Sequence, residues 1–176
     1  MRAPTDVLRD EHRVILRALD VVERAIARAA GGAAVPDGWW ADAVAWLRGF
    51  ADANHHAKEE QSLFPALLKA GVPSEGGPVD VMLEEHAQGR ALIAAIAGAA
   101  GAARTAAARD YVALLRAHID KENGVLFPLA DALIDGTLME TVRREFEAVA
   151  AAPGAAASTD TAEAAVERLA AALEER

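Results

Sequence analysis

The chain contains no cysteine. That excludes a disulfide framework, a thiolate nucleophile and any zinc or iron–sulfur site held by sulfur, so a bound metal would depend on histidine and carboxylate donors. Aromatic residues are scarce, with 4 Phe, 3 Trp and 1 Tyr in 176 residues, which leaves most of the core to Leu, Val, Ile and Ala. Long apolar runs are missing as well. The longest uncharged stretch, Ala91 to Ala103, has 13 residues, short of the roughly 20 that a membrane span needs. Residues 1–10 carry Arg2, Asp6, Arg9 and Asp10 without an apolar run, so no secretory signal is expected and a soluble, cytoplasmic protein is the default. Positive charge is in deficit: 18 Lys and Arg stand against 27 Asp and Glu, for a net charge of −9. With no basic cluster, electrostatic binding to nucleic acid or to an anionic membrane is not expected.

What the chain has in excess is alanine, about a quarter of all residues. Alanine buries little area but favours helix above every other residue. Gly and Pro gather at 31–36, 71–78, 98–101 and 136, dividing the sequence into four long segments with helical periodicity. The first runs from about Thr5 to Ala30 with Leu8, Ile15, Leu19, Val22 and Ile26 on one stripe. Asp37 is placed to cap the second, which passes Trp39, Trp40, Trp46 and Phe50 on its way to about Ala70. Pro78 stands near the start of the third, which ends around Gly98, and Thr105 is placed to cap the fourth, running to about Asp135. The spacing predicts an all-α fold, an up-down-up-down four-helix bundle. Pro65 and Pro128 should kink or change the pitch of the second and fourth helices near their ends. A fifth helix over about 138–151 completes a first unit of residues 1–152. Residues 153–176 read as a linker and a separate amphipathic C-terminal helix with an Asp160/Glu163 capping box.

Two polar pieces of the first half recur in the second. Glu11-His12 returns as Glu85-His86, 74 positions on, and His55 to Pro65 (HHAKEEQSLFP) returns as His118 to Pro128 (HIDKENGVLFP), 63 positions on. The second match keeps His, Lys, Glu, Leu, Phe and Pro in step, and its shared element is His-x-x-x-Glu. Residues four apart stack on one helix face, so His55 with Glu59, and His118 with Glu122, each present an imidazole beside a carboxylate. His12 and His86 add one imidazole from each remaining helix. Lys58 and Lys121 lie about 100° away from the neighbouring glutamates on a regular helix and are expected to face solvent. Buried carboxylates then require a cation. Six nitrogen and oxygen donors exceed the needs of one catalytic zinc but fit two ions bridged by two carboxylates, with iron the best match and manganese or zinc as substitutes.

These residues resemble the hemerythrin-like, or HHE cation-binding, domains over about residues 5–135. The likeness rests on Glu11-His12, His55-x-x-x-Glu59, Glu85-His86 and His118-x-x-x-Glu122, with Leu-Phe-Pro after each His/Glu pair. The resemblance implies a four-helix bundle around a non-haem, oxo- or hydroxo-bridged di-iron centre, with His12, His55, Glu59, His86, His118 and Glu122 as ligands and Glu59 and Glu122 as bridges. Oxygen-carrying hemerythrins have a further His four residues after the third-helix His, where this chain has Arg90, and a carboxylate five residues after the fourth-helix His, where it has Asn123. In this it looks more like bacterial hemerythrin-like proteins that handle oxygen, peroxide, nitric oxide or iron. The implied partner is a small diatomic or peroxide ligand. A reversible binder or sensor, a peroxide- or nitric-oxide-consuming enzyme, an iron-handling protein and a metal-free bundle all stay open, as does a dimer through the C-terminal helix.

The remaining candidates have plainer expectations. His56 is turned about 100° from His55 on a regular helix and is set outside the ligand set. Glu11 and Glu85 either orient an imidazole or form ordinary ion pairs. Glu60 and Asn123 read as rim residues, Arg90 either as reaching toward an anion near the site or as the partner of an exposed carboxylate, and Tyr111 and the tryptophans as core. Phe64 and Phe127 should close the bundle end and keep water from the metals.

Overall fold

In a computed structural model, which describes residues 2–152 and 158–174, the chain forms six helices and, among the described residues, no strand. Helix α1, Pro4–Ala30, begins with proline at its first turn, where the missing N–H costs nothing, and Asp6 reaches back to the Ala3 amide. Its predicted stripe of Leu8, Ile15, Leu19, Val22 and Ile26 is buried throughout. Helix α2 spans 37–69; its first helical residue is Asp37, preceded by Pro36 at the cap. Helix α3 is Pro78–Gly98. Helix α4 spans 101–133, starting four residues before Thr105. The Thr105 hydroxyl therefore caps nothing and instead donates back to the Ala102 carbonyl, while the turn at the helix start is made by Gly101 at φ +54°. Helix α5, Gly136–Ala150, is capped by Asp135, whose side chain accepts from the Leu138 amide. Helix α6 is Thr159–Glu174.

Helices α1 to α4 alternate in direction and pack α1 on α4, α4 on α3 and α3 on α2, the predicted up-down-up-down bundle. Both prolines act as expected. Over Glu59–Leu63 and again over Glu122–Leu126, just before Phe64-Pro65 and Phe127-Pro128, the helix widens into π-helical turns. A proline supplies no N–H to the regular ladder and its ring crowds the preceding turn, which the wider turn relieves. In α2 the widening also covers Leu47–His56. It has no counterpart in α4, whose earlier part is regular over Gly101–Lys121.

Two apolar clusters fill the bundle. One is built from residues such as Ile15, Leu19, Phe50, Ile93, Tyr111 and Leu115, and the other from Leu8, Leu63, Phe64, Met82, Leu126 and Phe127 under the covering residues Val142 and Phe146 of α5. On each bundle helix a polar layer falls between the members of one cluster and those of the other. Helix α6, which the sequence sets apart as a separate segment, lies against α1 and α2. Its Ala162, Val166 and Leu173 join the first cluster, and Trp39 and Trp46 donate their indole N–H groups to the Leu169 and Ala162 carbonyls at 2.9 and 3.0 Å. The predicted linker falls largely on residues 153–157, outside the described residues. Among the described residues, no helix is long and apolar enough to cross a membrane.

Candidate metal centre

The polar layer holds all six predicted residues. His12, His55, Glu59, His86, His118 and Glu122 are each at most 1 % exposed. Together with His56 they fall into two groups, each with its ligand atoms within 4.8 Å of one another: His12, His55, Glu59 and Glu122, and His56, Glu59, His86 and His118. Glu59 belongs to both. Glu122 connects them as well, with one carboxylate oxygen 3.0 Å from His12 Nε2 and the other 3.2 Å from His118 Nε2.

Four imidazoles are held from behind through Nδ1. His55 meets Glu11 at 2.9 Å, His118 meets Glu85 at 2.9 Å, His86 meets Glu60 at 2.8 Å and His12 meets Asn123 at 3.0 Å. An acceptor at Nδ1 fixes the tautomer with its proton there and turns the Nε2 lone pair toward the middle, the arrangement that metal-bound histidines require. Lone pairs then meet lone pairs. His86 Nε2 and His118 Nε2 stand 3.1 Å apart, and the Nε2 atoms of His12 and His55 and all four carboxylate oxygens of Glu59 and Glu122 are buried without a well-aligned hydrogen-bond partner. Orphaned buried polar atoms of this kind are rare in folded proteins and costly. A cation among them satisfies both nitrogens and carboxylates at once, so the donor set fits a metal.

The electrostatics agree with this reading. Burial draws His55 down to about 4, so its ring is neutral near pH 7. Burial, together with the charge of Glu122, pushes the Glu59 carboxyl far above its ordinary value. Burial opposes charge on Glu122 too, but in the metal-free chain a positive charge on the His118 ring outweighs it and holds that carboxyl well down. Protein groups alone therefore support one ionised carboxylate of the two, whereas two cations would support both.

Several residues take roles that periodicity did not assign. Lys58, expected in solvent, is buried and bonds to Glu11, which also accepts from Asn54 at 3.1 Å. Lys121 makes the same bond to Glu85 but keeps its side chain 42 % exposed. Both lysines thus neutralise the carboxylate behind a histidine. Glu60 and Asn123, read as rim residues, orient His86 and His12; the signal was their place in the repeat, an acceptor directly after each paired glutamate. His56 is 3 % exposed and inside the centre rather than beside it, its ring stacked on His86 at 3.9 Å and 17°. The π-helical turns explain this, because more residues per turn bring consecutive side chains closer in direction than the regular 100°. Arg90 pairs with two half-buried carboxylates, Asp52 at 2.8 Å and Glu60 at 2.5 Å, the second being the one that holds His86. Phe127 stacks on His12 and Phe64 on His86, at 5.3 and 5.7 Å.

The profile of the hemerythrin HHE cation binding domain matches residues 3–130. The chain belongs to that family. The match runs from the start of α1 to the last turn of α4 and takes in every residue of the centre, while α5 and α6 lie beyond it. No curated protein and no solved structure matches this hemerythrin-domain chain.

Proposed function

We propose that this hemerythrin-domain protein holds two irons in its polar layer and engages oxygen, or a related small molecule such as peroxide or nitric oxide. The observation that carries the reading is the inward-facing set of buried nitrogens and carboxylate oxygens without partners. His12, His55, Glu59, His86, His118 and Glu122 would be protein ligands, with His56 as a fifth imidazole supplied from α2 instead of from the position of Arg90. Glu59 and Glu122 would be shared between the ions, as their proximity to histidines of both groups supports. When bound, the irons supply redox chemistry toward the small molecule.

The chain's own residues would do the rest. Glu11, Glu60, Glu85 and Asn123 hold the rings in one tautomer and one orientation, and the apolar clusters on either side exclude bulk water from the layer. The His56, His86 and His118 side has three imidazoles and both glutamates within reach, whereas the His12 and His55 side has two imidazoles with the same glutamates. The side with fewer protein donors is the one left to accept an added ligand.

Metal analysis of the purified chain, paired with optical spectra under air and under reductant, tests this. The expected result is two irons per chain and a spectrum that changes with oxidation. Loss of metal in His118→Ala would accompany it. A chain without stoichiometric metal, whose melting ignores chelators, would overturn the reading. A reversible spectral change without turnover marks a binder or sensor, and steady consumption of peroxide or nitric oxide marks an enzyme.

A further inference from the structure

The two donor groups are not chemically alike, and His56 makes the difference. One group offers two imidazoles and two carboxylates, from His12, His55, Glu59 and Glu122; the other offers three imidazoles with the shared Glu59, and Glu122 reaches it beside His118 at 3.2 Å. His56 is fully enclosed and neither ring nitrogen has a hydrogen-bond partner. Asp52 Oδ1 stands 3.5 Å from its Nδ1. Its ring lies flat on His86, and the two carboxylates outside this pair, Asp52 and Glu60, are joined by the Arg90 guanidinium. The nitrogen-rich group is thus braced across α2 and α3. The backing of the other group is partly neutral, since His12 leans on the Asn123 amide.

Donor type sorts first-row metals. Imidazole nitrogen favours the later ions such as cobalt, nickel and zinc, while carboxylate oxygen suits manganese, and the affinity of mixed sites rises from manganese toward copper. Adding a third nitrogen donor to otherwise shared carboxylates therefore changes the relative preference of a position even when its absolute affinity is set by every donor. We propose that the centre is a site-differentiated one: the His56, His86 and His118 position selects a late divalent ion such as zinc over manganese, and the His12 and His55 position accepts manganese beside it, so that a mixed pair forms when both are offered. This rests on the two-ion reading above and adds an order of preference within it.

The test uses the full chain freed of metal, given one equivalent of Zn²⁺ and then excess Mn²⁺, desalted, and measured by metal analysis and electron paramagnetic resonance. The expected product holds one zinc and one manganese per chain, with a manganese signal free of coupling to a second manganese. The product is the same when the order of addition is reversed and the sample is allowed to equilibrate. Random placement of the zinc would leave roughly a quarter of chains with two coupled manganese ions, and would overturn the proposal. His56→Ala should move wild-type ordering toward that random pattern. His12→Ala, which leaves the nitrogen-rich group whole, should still retain one zinc against manganese; a preference for manganese there would also overturn it. Zinc alone separates the two readings: uptake of two equivalents supports the dinuclear centre whatever the mixed experiment gives, and uptake of one overturns both.

Discussion

The two halves of the bundle use one design at two depths. In α1 and α2, Glu11 accepts from His55 and from Lys58; in α3 and α4, Glu85 accepts from His118 and from Lys121. The residues are the same, but the first carboxylate and its lysine are 2 and 5 % exposed and the second pair 14 and 42 %. Burial works against charge on Glu11, and the hydrogen bond from His55 with the Lys58 ammonium outweighs it, holding the carboxyl below its ordinary value. Glu85 reaches the same direction with far less burial to overcome. A repeated motif therefore fixes which groups meet, while the surroundings decide what breaking them costs.

The largest effect should come from the residue that belongs to both halves. Glu59→Leu removes a donor from each group, and the expected outcome is loss of both ions. The metal-linked stability goes with them, about 4 kcal/mol per ion where free metal exceeds Kd a thousandfold. In metal-free protein the sign reverses. There the wild-type glutamate is an uncompensated buried acid, so the leucine variant should unfold about 1–3 kcal/mol less easily than wild type. Denaturant melts with and without chelator check both signs, and a metal-free variant weaker than metal-free wild type would show that Glu59 has a partner of its own.

Next in size is the direct contest between depths. Glu11→Ala strands the Lys58 ammonium in the interior and should cost about 3–5 kcal/mol. Glu85→Ala leaves Lys121 free to turn to water and should cost within about 1 kcal/mol. Both should weaken metal retention by about ten- to a hundredfold, since each removes the acceptor behind a histidine. Equal destabilisation in urea melts would mean that burial is not what separates the halves.

The architecture was legible because it depends on spacing alone. Leu8, Ile15, Leu19 and Val22 recur at helical steps, Pro and Gly mark the ends, and the duplicated His-x-x-x-Glu with Leu-Phe-Pro reveals which acids turn inward. What escaped was whatever depends on the helix not being regular. His56 and Lys58 both point outward by the angle of a regular α-helix; His56 sits inside because it ends the wider turns of Leu47–His56, and Lys58 is drawn in by its bond to the buried Glu11. Pro65 announces the turn at Glu59–Leu63, whereas no proline stands directly after the longer widening of Leu47–His56 to mark it in the sequence. The Asn123 and Glu60 contacts were hidden for a different reason: each crosses to a histidine on another helix, and a shared place after the paired glutamates marks both as acceptors without naming the histidine that each one meets.

The smallest expected effect compares two arginine clamps on the surface of the bundle. Arg116 joins α4 to α1 through Asp20 and Glu23 at 2.6 and 2.7 Å, and Arg90 joins α3 to α2 through Asp52 and Glu60. Both are partly exposed, so replacing either with alanine should lower stability by about 1 kcal/mol or less, and salt should shrink the difference further. Only Arg90 grips a carboxylate that in turn holds a histidine of the centre. Arg90→Ala should therefore speed extraction of metal by a chelator several-fold, with Arg90→Lys restoring part of the loss through its retained charge, whereas Arg116→Ala should leave extraction unchanged. If the two alanine variants release metal at the same rate, the Arg90 clamp is an ordinary surface ion pair, and the difference between the two sides of the centre lies in the ring of His56 alone.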